Sequence, residues 1–200
     1  TAAKVAMDLT DFDKAAEFYE EYQKKFPRER SNQMLKNAAL MRFYLGENDK
    51  AIENYKILMT KYDAGEMIAN QAFVYEKSGN VDGIKATIAG YSGGSSKGSF
   101  LISYFSGFTN LKLNNIDEAL RDFKKAHNLY PKVALLLSGW EAEIPAKNLF
   151  HYGEALLTQY ENFGVQDGEQ VSVITKKYKL LQAVEQTFME IMNMGSKKWA

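Results

Sequence analysis

The chain has 200 residues, and its 25 lysine and arginine residues balance 25 aspartate and glutamate residues, so the formal net charge is zero. This balance argues against a nucleic-acid-binding surface, because such a surface needs an excess of basic residues. The absence of cysteine excludes disulfides, thiolate metal sites and cysteine nucleophiles. The 46% share of apolar residues is typical of a globular protein with a buried core.

The composition leaves the compartment open, because a cysteine-free chain suits the cytoplasm and the periplasm alike. No apolar stretch of the sequence is long enough to cross a bilayer, so we expect no direct membrane insertion. Both ends resemble the interior or the opening of a helix. We therefore expect the sequence to be part of a longer chain, with any signal or anchor outside it.

One pattern recurs along the first two thirds of the chain. Each copy has a small or apolar anchor residue near the start of a predicted helix, and the anchors are 36, 33 and 35 residues apart: Ala15, Ala51, Ile84 and Ala119. A large apolar or aromatic residue follows each anchor by four positions, on the same helix face: Tyr19, Tyr55, Ile88 and Phe123. Pro27 and Pro131 follow two of the anchors by twelve residues and predict helix ends, because the residue before a proline disfavours helical geometry.

This pattern resembles the tetratricopeptide repeat (TPR), a unit of about 34 residues that forms two antiparallel helices. The resemblance implies an all-α fold, an αα-superhelix (solenoid) of antiparallel helix pairs. It covers residues 1–131 and implies four pairs, at about 1–30, 31–63, 64–98 and 99–131. The family's tryptophan near the start of each unit is missing from all four. The mixture of regular and longer hairpins is similar to that of large bacterial envelope- or motility-associated TPR proteins.

Residues 132–200 are expected to continue as elongated helical hairpins. Apolar spacing predicts a short helix from Val133 to Trp140, and Pro145 suits the first turn of the next helix, which breaks at residues 162–164. A long helix is predicted from Glu169 to Asn193, stopped by Met194 and Gly195. Its apolar stripe from residue 171 to residue 191 is expected to pack against neighbouring helices; the alternative is that it pairs with a partner helix. A further repeat is expected to begin at about 196–200.

A run of glycine and serine at residues 92–99 predicts either a flexible joint or an enlarged turn. Within it, residues 94–98 match G-x-S-x-G, which in hydrolases presents a nucleophilic serine on a strand-to-helix turn. No strand is predicted before Ser96, and nothing in the sequence places His127 or His151 beside it. We therefore expect no enzymatic activity, no cofactor and no metal site.

The TPR resemblance implies a concave groove lined by the first helix of each pair. Asn37 and Asn70 each lie fourteen residues before an anchor, and in peptide-binding family members asparagines there bind the peptide backbone, since an amide both donates and accepts hydrogen bonds. Together with lysine, leucine and aromatic neighbours they form the candidate partner-binding set: Lys36, Asn37, Leu40, Phe43, Tyr44, Asn70, Phe73, Tyr104, Phe105 and Phe108. The alternative is that these aromatic side chains only pack between repeats.

The function predicted from these residues is that of a scaffold or adaptor, which binds a peptide segment or helix of a partner protein in the groove. One alternative is a helical targeting domain of a longer chain whose catalytic domain lies elsewhere. Another is a structural spacer that associates with itself. The sequence leaves the oligomeric state and the partner open.

Overall fold

The protein is described by a computed structural model that covers residue 6, residues 10–164 and residues 171–198. These residues form α-helices joined by short connections and contain no β-strand, which confirms the predicted all-α fold class. The helices are α1 (Phe12–Lys25), α2 (Glu29–Tyr44), α3 (Asn48–Leu58), α4 (Ala64–Lys77), α5 (Val81–Ala89), α6 (Ser96–Lys112), α7 (Ile116–Val133), α8 (Ile144–Asn162) and α9 (Val171–Lys198). Two 3₁₀ segments, Ala134–Leu136 and Gly139–Glu143, connect α7 to α8.

Local chemistry explains where several helices begin and turn. The side chains of Asp11, Asp63 and Asn80 each accept a hydrogen bond from a backbone N–H three residues later, which caps the first turn of α1, α4 and α5. Gly46 and Gly79 have φ values of 80° and 71° in the turns after α2 and α4. A side chain is strained at these angles, so glycine allows the sharp turn between consecutive helices.

The chain divides into two compact units, residues 1–98 and residues 99–200, and the boundary falls within α6. In unit 1, each helix from α1 to α5 packs against the next one along the chain. In unit 2, α7 packs against α8, and α8 packs against α9. Consecutive helices joined by short turns and packed side by side are antiparallel hairpins, so both units are built from TPR-like helix pairs.

The core of unit 1 is formed where small side chains let helices approach. Ala15 and Ala51 are completely buried, and Tyr55, one turn after Ala51, is 2% exposed. Burial raises the pKa of the Tyr55 hydroxyl. The wider cluster joins residues of α1, α2, α3 and α4: Ala16, Leu35, Ala38, Ala39, Ile52, Leu58, Met67 and Val74.

A buried guanidinium connects three helices of unit 1. Arg42 in α2 is 2% exposed, and its Nε and Nη2 donate to the two carboxylate oxygens of Glu20 in α1, at 2.9 and 2.7 Å. Its Nη1 donates to Asp13 and, at 2.6 Å, to Glu47 before α3. Asn54 in α3 donates to Glu20 at 2.8 Å. The hydrogen bonds from Arg42 to these carboxylates fix α1, α2 and the start of α3 relative to one another.

These contacts shift the pKa of Arg42 and the pKa of Glu20. The hydrogen bonds to Glu20 above all hold the pKa of Arg42 above its ordinary value. Burial raises the pKa of the Glu20 carboxyl, but hydrogen bonds from Arg42 and Asn54 lower it by more. The pKa of Glu20 therefore lies below its ordinary value of 4.5. Arg42 and Glu20 are therefore both charged near neutral pH.

Unit 2 has an aromatic core. Tyr104, Phe105 and Phe123 are completely buried, and the Tyr104 ring lies 5.1 Å from Phe105 and 6.4 Å from Phe123 between centroids. A Cβ atom added to Gly107 would lie 2.6 Å from the Phe123 ring. Glycine at this position therefore lets α6 approach the aromatic side chain of α7 closely.

Two predictions for the segment after residue 130 are wrong. Pro131 does not end its helix: α7 continues to Val133, and the backbone N–H of Ala134 donates to the carbonyl of Tyr130. A proline in the last turn removes one hydrogen bond without preventing the next from forming. The predicted helix from Val133 to Trp140 is replaced by the two 3₁₀ segments, which are separated by extended backbone at Leu137 and Ser138 and by Gly139 with a φ of 56°.

The predictions for α8 and α9 are partly right. Pro145 lies in the first turn of α8, and α8 ends at Asn162, as expected. The expected stop of the last helix at Met194 and Gly195 is wrong, because α9 continues to Lys198; one glycine costs a helix only about 1 kcal/mol. Residues 196–198 belong to α9, and the rest of the predicted further repeat lies outside the described residues.

Candidate functional site

The predicted binding residues of α2 lie on one helix face. Positions 36, 40 and 43, and likewise positions 37, 40 and 44, are spaced by three or four residues. The Asn37 side chain is exposed, and Tyr44 is 74% exposed. Lys36, Leu40 and Phe43 are half-buried. This face of α2 therefore presents a lysine, an amide and apolar side chains at the surface of unit 1.

The neighbouring helix α4 adds an aromatic side chain to this surface. The ring of Phe43 in α2 lies 5.1 Å from the ring of Phe73 in α4 and 5.3 Å from Tyr44. Phe73 itself is 5% exposed. The three rings form a continuous aromatic row that begins in the core, at Phe73, and ends in solvent, at Tyr44. Such rows favour tilted ring contacts of this length.

The two predicted asparagines have different environments, although they occupy the same offset in the repeat pattern. Asn37 is exposed, whereas Asn70 is 3% exposed and its Nδ2 donates to the backbone carbonyl of Glu66 at 2.9 Å. The amide of Asn37 is accessible to a partner as the chain stands. The amide of Asn70 is engaged within α4.

A lysine was missed that belongs to the same surface. The ammonium of Lys77 lies 5.7 Å above the centroid of Phe73, four residues earlier in α4. Lys112 stands in the same relation to Phe108 in α6, at 5.4 Å. The sequence contains a signal for both contacts. A lysine lies seven residues before each of the anchors Ile84 and Ala119, and a phenylalanine lies four residues before each lysine.

In unit 2, the predicted residues are mainly core residues. Tyr104 and Phe105 are completely buried, and Phe105 lies 6.1 Å from Trp140 between ring centroids. Phe108 is half-buried and contacts His151 of α8, with centroids 5.3 Å apart. Of the three predicted aromatic residues in α6, only Phe108 therefore reaches the surface.

His151 was also missed, because a single histidine inside a helix gave no pattern. Its ring lies between the aromatic side chains of α6 and α7, stacked 6.2 Å from Phe123. Its Nδ1 lies 2.6 Å from a carboxylate oxygen of Glu154. The exposed ring of Phe150 is 5.5 Å from the imidazole. Phe108, Phe150 and His151 together form a smaller aromatic surface on unit 2.

The glycine and serine run has a structural use. Residues 91–95 form a loop and Ser96 begins α6, so no strand precedes the serine. The backbone N–H of Ser95 donates to Asp63 at 3.0 Å, and Lys97 pairs with Glu66 at 3.3 Å. Gly98 packs against the backbone of Gly65, as its missing side chain requires. The last glycine of the G-x-S-x-G match is therefore needed for this close packing.

In the described part of the chain, no group of three histidine, aspartate or glutamate side chains is arranged to hold a metal ion. None of the described helices has both the length and the hydropathy needed to span a membrane.

Comparison with known proteins assigns neither a family nor a function to the chain. No family model matches the sequence, and no curated protein matches it. The structure is similar to that of a TPR repeats protein from Bacteroides fragilis NCTC 9343, with a TM-score of 0.46 and 14% sequence identity over 96% of this chain and 86% of the other. A likeness at these values carries no residue role and no partner over to this chain.

Proposed function

We propose that the protein is an interaction module that binds a segment of another protein on the α2–α4 face, defined as Lys36, Asn37, Leu40, Phe43, Tyr44, Phe73 and Lys77. The observation that carries this proposal is the aromatic row that leads from buried Phe73 through Phe43 to Tyr44, which is 74% exposed. Folding of unit 1 alone does not require a large ring at this exposed position. An exposed aromatic side chain supported by buried rings is typical of a binding anchor.

The polar groups beside this row suit a peptide. Asn37 is exposed, and its amide can donate to and accept from a partner's backbone. Lys36 and Lys77 flank the rings and favour a segment without excess positive charge. An extended or helical segment with one or two apolar anchors fits this combination of groups.

The proposal keeps the ten predicted residues but divides their roles. Lys36, Asn37, Leu40, Phe43 and Tyr44 contact the partner, Phe73 supports the aromatic row from the buried end of the α2–α4 face, and Asn70, Tyr104 and Phe105 support the helices from within. Phe108 belongs to the aromatic surface of unit 2 and is a candidate for a second contact. No catalytic step is assigned to any of them.

The test is partner capture by photo-cross-linking. A photoreactive phenylalanine analogue at Tyr44 is expected to cross-link a partner from host lysate, and the same analogue at Ile57, an exposed position of α3 in unit 1, is expected not to. The variant Asn37→Ala with Tyr44→Ala should lose the captured protein, while Ile57→Ala keeps it. Equal cross-linking from both positions, or capture that survives the double variant, would remove the α2–α4 face as the binding site.

A further inference from the structure

The connection between α7 and α8 carries leucine side chains that packing within unit 2 leaves in solvent. Leu135 is 100% exposed and Leu136 is 58% exposed, and both lie in the first 3₁₀ segment. Leu137 and Trp140 are half-buried, and the Trp140 ring lies 6.1 Å from Phe105 between centroids. The second half of the connection is therefore anchored to the aromatic core, whereas the first half projects two leucines from it.

The two leucines continue the outer face of α7, the face turned away from the core of unit 2. An α-helix turns about 100° per residue, so positions 121, 125, 128, 132 and 135 all lie within about 40° of one line along its axis. The dihedral angles of Ala134 are still helical, so this direction holds past the end of α7. The completely buried residues of α7 lie on the opposite side: Ala119, Phe123, Ala126 and Val133.

Three lysines lie on the same outer face as the leucines. Lys125 and Lys132 belong to the row of positions itself, and Lys124 lies about 60° around the helix from its centre. All three are exposed, and none of them is in a salt bridge with another described residue. Residues 123–140 contain no acidic residue. The positive charge beside the leucines is therefore not neutralised along this stretch of the chain.

Acidic residues border this stretch without reaching the leucines. On the outer face of α7 they occur at its start, at Asp117 and Glu118. Beyond the leucines, Glu141 is only 4% exposed, and the Glu143 carboxylate lies 3.9 Å from the ammonium of Lys147. The outer face therefore changes from mixed charge at the start of α7 to basic and apolar at its end.

We propose that the end of this outer face binds the surface of an anionic lipid bilayer. The binding residues, called the lysine–leucine tip, are Lys124, Lys125, Lys132, Leu135 and Leu136. Leucine side chains are stabilised where headgroups meet acyl chains, and lysines are attracted to anionic lipids. The same surface repels Asp117 and Glu118, so α7 approaches it with its C-terminal end nearest. The contact is peripheral and requires no helix that spans the membrane.

Two features favour a bilayer over a protein as the occupant. Leu135 projects from the chain, and a fluid bilayer accepts a projecting apolar side chain without a pocket of matching shape. The cations of the tip are all lysines, which act as point charges and suit a diffuse anionic surface. Arginine, whose planar fork matches a single carboxylate, is absent from residues 123–140.

The tip is small, so the expected binding is reversible. From Lys124 to Leu136 it extends about 18 Å at 1.5 Å per residue. Because the net charge of the chain is zero, attraction to an anionic surface comes from this local group of lysines and is screened by salt.

The first test is flotation of the purified chain with vesicles made of equal parts of phosphatidylcholine and phosphatidylserine. The parent is expected to float with these vesicles but not with vesicles of phosphatidylcholine alone, because the lysines require anionic lipid. Raising the salt concentration should release it. A parent that binds neither kind of vesicle, or both equally, overturns the proposal.

The leucine contribution is tested by Leu135→Asp, which should weaken binding to the anionic vesicles about tenfold. Because Leu135 is completely exposed, its circular dichroism should remain that of the folded parent. Leu113→Asp is the matched control, since Leu113 is 40% exposed in the turn at the other end of α7. Equal losses from the two variants contradict the assigned tip.

The lysine contribution is tested by replacing Lys124, Lys125 and Lys132 together with glutamine. Binding should weaken by up to about a hundredfold, a factor of about five for each lysine close to the surface. The control replaces three exposed lysines of unit 1 with glutamine and so changes the net charge equally: Lys56, Lys61 and Lys85. A control that loses as much binding would show that net charge, and not the tip, attracts the protein.

Trp140 reports whether the tip itself meets the lipid. The chain has two tryptophans, so Trp199→Phe leaves Trp140 as the single reporter. Its emission should shift to shorter wavelength on binding and should be quenched by brominated acyl chains. Unchanged emission from vesicle-bound protein would show that another surface holds the lipid. A parent that ignores vesicles, while a photoreactive analogue at Leu135 cross-links a protein, would show that the tip docks on a protein; both results overturn the proposal. The photo-cross-linking result at Tyr44 is independent of all these outcomes.

Discussion

The two units hold their helices together by different means. Unit 1 connects α1, α2 and α3 through Arg42, a buried cation that bonds three carboxylates. Unit 2 has a corresponding cluster of rings, with Tyr104, Phe123 and His151 in mutual contact. The same arrangement of paired helices can therefore be held together either by a buried ion network or by packed aromatic rings.

At equivalent positions of the repeat pattern, the two units differ by one methyl group. Ala39 and Gly107 both lie twelve residues before an anchor, and Tyr55 and Phe123 both lie four residues after one. Ala39 packs into the same buried cluster as Tyr55, whereas at Gly107 a methyl group would lie 2.6 Å from the Phe123 ring. The smaller residue permits a closer approach of the two helices, so the core of unit 2 has less tolerance for added volume.

The largest expected effect is in the core of unit 2. Phe123→Ala should lower the free energy of unfolding by about 3–5 kcal/mol, because it removes a completely buried ring. The measurement is denaturant unfolding followed by tryptophan fluorescence, which reports unit 2 because both tryptophans lie there. Phe150→Ala is the control, since Phe150 is 45% exposed, and equal losses from the two variants would contradict the assigned core.

The next largest effect is expected at the ion network of Arg42 in unit 1. Arg42→Ala should cost about 2–3 kcal/mol, less than for a wholly buried pair, because its carboxylate partners are partly exposed. Far-ultraviolet circular dichroism reports the transition. Arg121→Ala removes an arginine whose pairing with Glu118 is exposed, and it should change stability by less than about 0.5 kcal/mol. Similar costs for the two arginines would show that the network contributes nothing specific.

The close packing of α6 against α7 is tested by adding a methyl group at Gly107. Gly107→Ala should destabilise by about 1–2 kcal/mol, because the clash with Phe123 exceeds the usual gain of alanine in a helix. Gly90→Ala is the matched control, since an added methyl group there meets no atom within 4 Å. Its thermal midpoint should stay constant or rise. A stabilising Gly107→Ala would mean that α6 and α7 can separate without cost.

The smallest effect is the response to acid. The pKa of the Glu20 carboxyl is lower in the folded chain than its ordinary value of 4.5, so the stability it contributes is present above pH 4.5 and is lost as the pH falls through the folded-state value. Thermal midpoints of the parent should therefore drop below pH 4.5. In Glu20→Gln the drop should be shallower, because that group no longer binds a proton on unfolding. Parallel pH curves for the two proteins would exclude a contribution from Glu20.

Much of the fold could be predicted because its causes are local. Helix periodicity, the caps at Asp11 and Asp63, and the glycine turns at residues 46 and 79 are each determined by neighbours within a few positions. The same local rules misled at Pro131, where the hydrogen bond of the following turn formed despite the missing N–H. Prediction of the all-α class needed only the dominance of such patterns along the chain.

The site could be predicted only in part. Asn37 and Asn70 have the same repeat offset, yet one is exposed and the other is buried, because burial depends on the helices that pack beside each position. Two of the three carboxylate partners of Arg42 come from 22 and 29 residues earlier in the chain, and no sequence spacing indicates that pairing. The repeat frame identified which residues share a helix face, but it could not show which faces meet.

The sequence by itself therefore determined most of the helices, their turns and the faces of each helix, since these follow from hydrogen bonds and sterics within a few residues. Only the tertiary structure decided that Tyr44 ends an aromatic row in solvent, that Tyr104 and Phe105 are buried, and that Val171 and Met192 of α9 are exposed. Those facts depend on contacts between residues that are distant in the chain. Which side chains meet there is decided by close packing of whole helices, to which every neighbouring side chain contributes.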